Sequence, residues 1–272
     1  IYVWLDALTN YLSALNFPNT NDVLYKNFWP ASLHVIGKDI LRFHAIYWPA
    51  FLLAAGIKAP NRVFGHGWIL SGDEKMSKSK GNILNPLEII DTYGIDELRY
   101  YLMKEVSHGS DGSISLKSLE NCINSDLANN YGNLCQRVFS FIKNNCKNKV
   151  SKTKNISSSD KRLIEETKVL TKDLRKEMNN QNLNNYIKSV INISFLTNKY
   201  INDEEPWKLK ETKVEKMNNI LHIALEQIAK ISILLSPIIP NASAKVLNAL
   251  NINTELKNFS FLDGKNIITD EI

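Results

Sequence analysis

No apolar run in this sequence reaches the ~18–20 residues that a membrane-spanning helix needs. The greasiest stretch, ISILLSPIIP at 231–240, is too short and is interrupted by Pro237 and Pro240. Cysteine is scarce. Cys122, Cys135 and Cys146 make an odd set with no Cys-x-x-Cys pair, which excludes a disulfide framework and a complete zinc site and points to a reduced, cytoplasmic setting. No basic segment with a small-residue cleavage site opens the chain, so no secretory leader is read. It also opens on Ile1 rather than Met, which reads as a start lying upstream. A fixed-period repeat is missing as well. Neither sign of charge dominates: 33 Lys and Arg against 28 Asp and Glu leave +5. That balance is compatible with a nucleic-acid partner without specifying one.

What is present falls into two textures along 272 residues, enough for two domains. Up to about residue 115 short apolar runs alternate with helical patterns. SLHVI reads as a buried strand over 32–36 ending at Gly37. A helix follows over 39–55, with Leu41, Ala45, Trp48 and Leu52 on one stripe, and RVFGHGWIL reads as a second strand over 62–70. Strand, helix, strand is an α/β signature. Asn85, Pro86 and Glu88 then start a short helix that Gly94 ends, and Asp96 reads as the cap of the next. From residue 116 the pattern is helical throughout. Leu119, Ile123, Leu127, Tyr131, Leu134, Val138 and Phe141 recur at spacings of three and four. Similar runs follow at Leu163–Met178, Leu183–Ile193 and Val214–Leu235. Four amphipathic helices read as a bundle. The polar stretch 143–161 is a loop between its first two members.

The densest signal is GDEKMSKSKGN at 72–82, which puts three lysines and two serines into the six positions from Lys75 to Lys80. On charge alone this is a solvated basic turn. Its place after a strand of an α/β sheet, where ligands bind, favours an anion instead. The Walker pattern Gly-x4-Gly-Lys-Ser/Thr is not there. Mobile lysines between Gly72 and Gly81 suit charge that develops during reaction, as when a triphosphate is split.

KMSKS, Lys75 to Ser79, is the signature loop of class I aminoacyl-tRNA synthetases. With YVWLDAL, HVIGKDI, FHAIYWPAFL, FGHGWIL and EPWKL in the same order, the whole chain resembles the methionyl-tRNA synthetase family. The resemblance implies the second half of a Rossmann-like catalytic domain over 1–115, followed by an α-helical-bundle anticodon-binding domain over 116–272. It implies ATP-dependent activation of L-methionine, ATP entering with Mg2+, and transfer to tRNA(Met), the initiator tRNA included. A membrane is not among the expected partners.

Residue by residue, the resemblance makes Lys78 the stabiliser of the departing pyrophosphate, with Lys75, Ser77 and Ser79 holding the loop or the phosphates. Gly37 allows close backbone approach, Asp39 accepts from ribose hydroxyls, and the Ile69 backbone meets adenine. The methionine pocket maps onto Trp4, Ala7, Leu8, Tyr11, Ile40, His44 and Trp48. An aromatic-walled pocket suits a soft thioether, although on spacing alone both stripes read as core packing. Asn133, Arg137 and Trp207 match residues that read the anticodon CAU, the tryptophan by stacking and the other two at base edges. Asn133 and Arg137 each precede a core position, which rotates them off the buried stripe. Trp207 alone reads equally as core, and Arg137 as half of a surface ion pair.

The sequence departs from the family pattern in one respect. His-Ile-Gly-His does not occur, nor does the insert that often carries zinc, so zinc is left open. The expectation is a polypeptide not catalytic by itself. The competing readings are another class I synthetase, a tRNA-binding module without catalysis, and a nucleotidylyltransferase of related fold. The aromatic pocket and EPW argue against the first, the intact lysine loop against the second, and the bundle against the third.

Overall fold

The computed structural model describes residues 2–71, 74–75, 84–106, 109–151, 155–252 and 259–262. The chain divides into two compact units, one of Ile1–Lys75 with His108–Ser113, the other of Met76–Ser107 with Ile114–Ile272.

In the first unit, helix α1 (Val3–Ser13) buries Leu8 and Leu12. Helix α2 (Val23–Phe28) is capped by Asp22, whose carboxylate accepts from the Leu24 amide at 2.8 Å. Strand β1 (His34–Gly37) pairs in parallel with β2 (Val63–His66), His34 opposite Val63 and Gly37 opposite His66. The helical connection between parallel strands is the crossover that an α/β fold requires. It is not the uniform helix that the sequence pattern predicts. A 3-10 turn (Lys38–Ile40) and a π-helical stretch (Phe43–Tyr47) precede helix α3 (Trp48–Ala54). Pro49 supplies the reason, because it has no N–H to return to Ala45. The Trp48 amide bonds five residues back, to the Phe43 carbonyl.

The single strand expected over 62–70 is two strands in different sheets. After β2 the chain turns at Gly67 and Trp68 into β3 (Ile69–Ser71), which lies between β4 (Glu74–Lys75) and β5 (Gly112–Ile114). Two contacts force the turn. Asp111 Oδ1 accepts from the Trp68 amide at 2.8 Å, and the Gly112 amide donates to the Trp68 carbonyl at 2.8 Å. Gly67 is pressed so closely on the Ser110 peptide that any Cβ would collide with backbone.

The second unit is helical. Helix α4 (Pro86–Tyr93) opens on Asn85, which accepts from the Leu87 amide at 3.1 Å and donates to Glu88 at 2.8 Å. Gly94, at φ 109°, ends α4 and also caps α5 (Ile95–Glu105). A continuous helical rod follows: α6 (Leu116–Cys122), a π-helical stretch (Ile123–Gly132) and α7 (Asn133–Asn145). Then come α8 (Ser158–Thr171), α9 (Leu174–Asn179), α10 (Leu183–Glu204), α11 (Val214–Leu235) and α12 (Pro240–Ala249). The run from Leu163 to Met178 is thus two helices, and α11 is buried on nearly all sides rather than on one stripe.

Two sequence expectations shift here. Asp96 does not cap its own helix. It is buried, and its carboxylate accepts from Asn241 Nδ2 at 3.1 Å and the Ala242 amide at 2.7 Å, satisfying the orphan donors at the start of α12. Arg99 completes that tie, donating to the Pro237 and Ile238 carbonyls at 2.7 and 2.9 Å. In the rod, the buried stripe runs through Cys122, Asp126, Asn130, Leu134, Val138 and Ile142, while Ile123 and Leu127 are only half-buried. A strict spacing of four drifts off one face of an α-helix, but i→i+5 bonding widens the turn and keeps the stripe straight. Gly132 belongs to that geometry, since a Cβ there would lie 2.7 Å from the Leu127 carbonyl oxygen.

The polar members of the stripe are fully partnered. Asp126 accepts from Tyr100 Oη at 2.7 Å and Ser125 Oγ at 2.9 Å and pairs with Lys104 Nζ at 2.8 Å. Asn130 accepts from Ser194 Oγ at 2.8 Å and Asn198 Nδ2 at 3.0 Å. Burial pushes the Cys122 thiol up to about 11 and the Cys135 thiol up to about 12, so both stay protonated core groups.

Candidate functional site

The aromatic residues of the first unit converge. α1 presents Trp4, Leu8 and Tyr11 to a cluster that also holds Trp48 and Leu52 of α3 and Trp29. Tyr11 Oη lies 3.0 Å from His44 Nε2, and His44 Nδ1 lies 3.1 Å from the Ile40 carbonyl. A carbonyl only accepts, so Nδ1 carries the proton and Nε2 accepts from the tyrosine hydroxyl. His44 is thereby fixed in one tautomer while 2% exposed. Trp4 stacks on Phe43 with ring centres 3.8 Å apart, and the Trp29 and Trp48 rings meet edge to face at 6.2 Å. Of the residues expected in this pocket, Trp4, Leu8, Tyr11, His44 and Trp48 come together. Ile40 contributes its carbonyl, and Ala7 lies exposed on α1.

Three members were not anticipated: Trp29, His34 and Phe43. The His34 ring sits 4.3 Å from Tyr11 and 6.1 Å from His44. Burial first, then the neighbouring His44, holds its pKa below the usual histidine range, so His34 is neutral near pH 7. Its Nε2 and the Trp48 Nε1 are buried without a hydrogen-bond partner among the described residues. An apolar box with two such weak polar atoms suits a ligand that is large, polarizable and barely polar.

Of the residues expected on the nucleotide side, Gly37 and Asp39 lie at the C-terminal end of β1. Asp39 is exposed, and its Oδ1 lies across the Gly37 Cα, where a Cβ would come within 2.5 Å of it. Lys38 donates to Asp111 Oδ2 at 2.7 Å and lies 4.4 Å from the centre of the Trp68 ring. Ile69 opens β3 and is 38% exposed. Lys75 closes β4 opposite Leu70, while Ser77, Lys78 and Ser79 lie outside the described residues.

In the second unit, Asn133 and Arg137 stand one turn apart on α7, the first exposed and the second half-buried. Glu205, in the left-handed conformation at φ 45°, ends α10 and leads through buried Pro206 to Trp207, which is 38% exposed. The Arg137 guanidinium lies 5.8 Å from the Trp207 ring centre, within cation–π range. Its Nη2 donates to Asn202 Oδ1 at 2.7 Å. The two side chains line a cavity of about 350 Å³ with Val138, Phe141, Ile201, Pro206 and Leu221. An exposed aromatic face, a guanidinium and a roomy apolar recess together can hold an unstacked base.

The family model described as tRNA synthetases class I (M) matches residues 1–139, and the one described as anticodon binding domain of methionyl tRNA ligase matches residues 150–266. The chain belongs to the class I methionyl-tRNA synthetase family. Relatives agree over nearly its whole length. It is 42% identical to the methionine–tRNA ligase of Brucella suis over 260 residues, 96% of this chain and 50% of that one. It is 43% identical to that of Rickettsia felis over 272 aligned residues, 96% of this chain and 52% of that one. A crystal structure of the Mycobacterium tuberculosis methionyl-tRNA synthetase bound by methionyl-adenylate superposes with a TM-score of 0.93 at 36% identity, covering 100% of this chain and 54% of that one. The chain therefore spans about half the length of the methionyl-tRNA synthetases it matches. The two matched segments agree with the expected order, a class I catalytic part followed by anticodon-binding helices.

Among the described residues of this synthetase-family chain no group of three or more His, Cys, Asp or Glu is placed to hold a metal ion. No described helix is long and apolar enough to cross a membrane. Trp29, which precedes Pro30, and His34, inside the strand expected over 32–36, carried only a weak signal in sequence. Asn202 carried none.

Proposed function

We propose that this chain serves in methionine–tRNA ligation, joining L-methionine to ATP with release of pyrophosphate and passing the methionyl group to the 3′ end of tRNA(Met), the initiator included. The observation that carries the reading is the meeting of Arg137 and Trp207, seventy positions apart in sequence, at one recess of the helical unit. Stacking on Trp207 with base-edge bonds from Arg137 and Asn133 is how a single-stranded anticodon is read. Residues 1–115 serve activation and residues 116–272 serve the RNA. The compartment is the cytoplasm, consistent with three free thiols.

The activation chemistry follows from the pocket outward. The box of Trp4, Tyr11, Trp29, His34, His44 and Trp48 takes the thioether. Tyr11 held by His44 keeps the wall fixed, and Leu8 backs it from the core. Asp39 beside Gly37 accepts from the ribose hydroxyls, and the backbone at Ile69 meets the adenine. The methionine carboxylate attacks the α-phosphorus of ATP, which enters with Mg2+, and pyrophosphate leaves. Lys78, with Lys75, Ser77 and Ser79, neutralises the charge that builds on that leaving group. Lys78→Ala in the complete enzyme should lower the activation rate about a hundredfold while methionine binding stays unchanged. Pyrophosphate-exchange kinetics with a methionine titration checks this, and lost methionine affinity at normal turnover would remove Lys78 from the role.

Binding of residues 1–272 to an RNA stem–loop carrying CAU, against the same stem–loop with a changed anticodon at one salt concentration, tests the reading. A clear preference for CAU is expected. Trp207→Ala should weaken CAU binding about tenfold, the cost of one lost stack. It should leave methionine activation by the complete enzyme intact. Equal, salt-sensitive binding to both RNAs would reduce the helical unit to a generic basic surface.

A further inference from the structure

Asp39 and Ile69, both expected against the nucleotide, stand in separate sheets. Asp39 follows β1, which pairs with β2, while Ile69 opens β3, which lies between β4 and β5. A third segment joins their neighbours. Asp111, just before β5, accepts from Lys38 Nζ at 2.7 Å through Oδ2 and from the Trp68 amide at 2.8 Å through Oδ1. Lys38 Nζ also lies 2.5 Å from Oδ1 and 4.4 Å from the centre of the Trp68 ring. Lys38 directly precedes Asp39, and Trp68 directly precedes Ile69. We propose that Asp111 is a positioning residue for ATP in the activation step: its one carboxylate holds the residue before each nucleotide contact, and so sets the distance between the ribose acceptor Asp39 and the adenine-facing backbone at Ile69.

Ribose and base are joined by a single bond, so both contacts form together only when their supports stand at the matching distance. Supports left to move independently would have to be ordered as ATP enters, and that ordering costs affinity. The Asp111 carboxylate does the ordering beforehand. Its own place is set by backbone on either side: the Gly112 amide donates to the Trp68 carbonyl at 2.8 Å, and the Ser110 peptide presses on Gly67. A carboxylate suits the task because it accepts from a charged donor and a backbone N–H at once. An amide at 111 would still accept from Trp68 but would hold Lys38 without charge. The Lys38 and Asp111 side chains are 38% and 33% exposed. Water screens such a pair, so it contributes to alignment more than to folding. The role rests on the nucleotide reading above, and the experiment separates the two.

The measurement is pyrophosphate exchange by the complete enzyme, with ATP and methionine titrated separately and the thermal midpoint recorded. The variants are Asp111→Asn, Lys38→Met, the two combined, Lys38→Arg and Asp39→Ala. Asp111→Asn and Lys38→Met should each raise the KM for ATP about fivefold, the upper range for a partly exposed pair, with the KM for methionine and the thermal midpoint unchanged. The double variant should be no worse than either single one, because both remove the same tie. Lys38→Arg keeps a cation between Asp111 and the Trp68 ring and should stay within about twofold of the wild type. Asp39→Ala, which removes a nucleotide contact itself, should raise the KM for ATP by more. A parallel rise in both KM values, a lowered thermal midpoint with an unchanged KM for ATP, or additive effects in the double variant would each overturn the proposal. Asp39→Ala with a wild-type KM for ATP would instead overturn the nucleotide reading itself.

Discussion

Asp126→Ala should cost about 3 kcal/mol of folding stability, read as a fall in the urea midpoint of the helical unit. The carboxylate is buried and gathers three donors, from Tyr100, Ser125 and Lys104. Removing it leaves the fully buried Tyr100 hydroxyl without its acceptor and Lys104 without its counter-charge. The estimate stays at the low end for a broken buried pair because about a quarter of the Lys104 side chain reaches water, at 24% exposure. The pH dependence has a defined sign. Burial alone would raise the Asp126 carboxyl, but the bonds from Lys104, Tyr100 and Ser125 outweigh it and hold the pKa below the ordinary value of 3.8. The contribution is therefore complete above about pH 4 and is lost as pH falls through the depressed folded value. Burial lowers Lys104, and its bond to Asp126 with the neighbouring charges more than compensates, so its pKa is raised. Its share is complete below the unfolded lysine value and fades as pH rises through the raised folded one. Asp126→Asn should thus be less stable near neutrality and flatter below pH 4 than the wild type. An acid limb as steep as the wild type's would show that other carboxylates govern it.

Gly67→Ala should destabilise the first unit by about 3 kcal/mol, the upper end for overpacking. A methyl at that position would overlap the Ser110 carbonyl and crowd the Asp111 amide. All of the atoms in its way are backbone, and the same segment holds Trp68 through Asp111 and Gly112. No side chain can rotate aside, so β3 would have to part from β5. The check is a thermal melt followed by tryptophan fluorescence. Gly109→Ala is the comparison: its φ of +72° strains any L residue, yet nothing stands within 4 Å of its Cβ. Gly109→Ala should therefore cost only the backbone strain, about 1–2 kcal/mol. Equal losses for the two substitutions would mean that conformation rather than collision decides at Gly67.

The sequence made the larger architecture readable because its cues are local. Asn85–Pro86–Glu88 and Gly94 bracket α4 through neighbouring atoms, and an apolar stripe tells where Leu134 and Val138 point without knowledge of what they touch. It failed where the deciding partner lies far along the chain. Asp96 looked like a cap, but its donors sit on Asn241 and Ala242. Asp126 and Asn130 stood outside the apolar stripe read from the sequence, yet Tyr100, Lys104, Ser194 and Asn198 make them interior. The break at Gly67 depends on Ser110, and the places of Trp29 and His34 in the aromatic cluster depend on how α1 and α3 meet them. Composition named the aromatic residues, while distance had to name which of them meet.

The π-helical stretch at Ile123–Gly132 acts as a phase shifter in a rod more than two dozen residues long. Each residue of an α-helix turns the chain by about 100°. At the four residues per turn that its stripe follows, the ten positions of that stretch turn the chain about as far as nine α-helical ones would, so relaxing to ordinary helix with all ten kept would swing everything after it through an angle of that order. Arg137 would then rotate off the recess it lines with Trp207, and Leu134 and Val138 would be carried away from the core. Exchanging Ala128 or Asn129, which point to solvent, leaves the angle untouched. In this segment the pitch of the helix, more than the identity of its exposed residues, sets where the Arg137 side chain ends up.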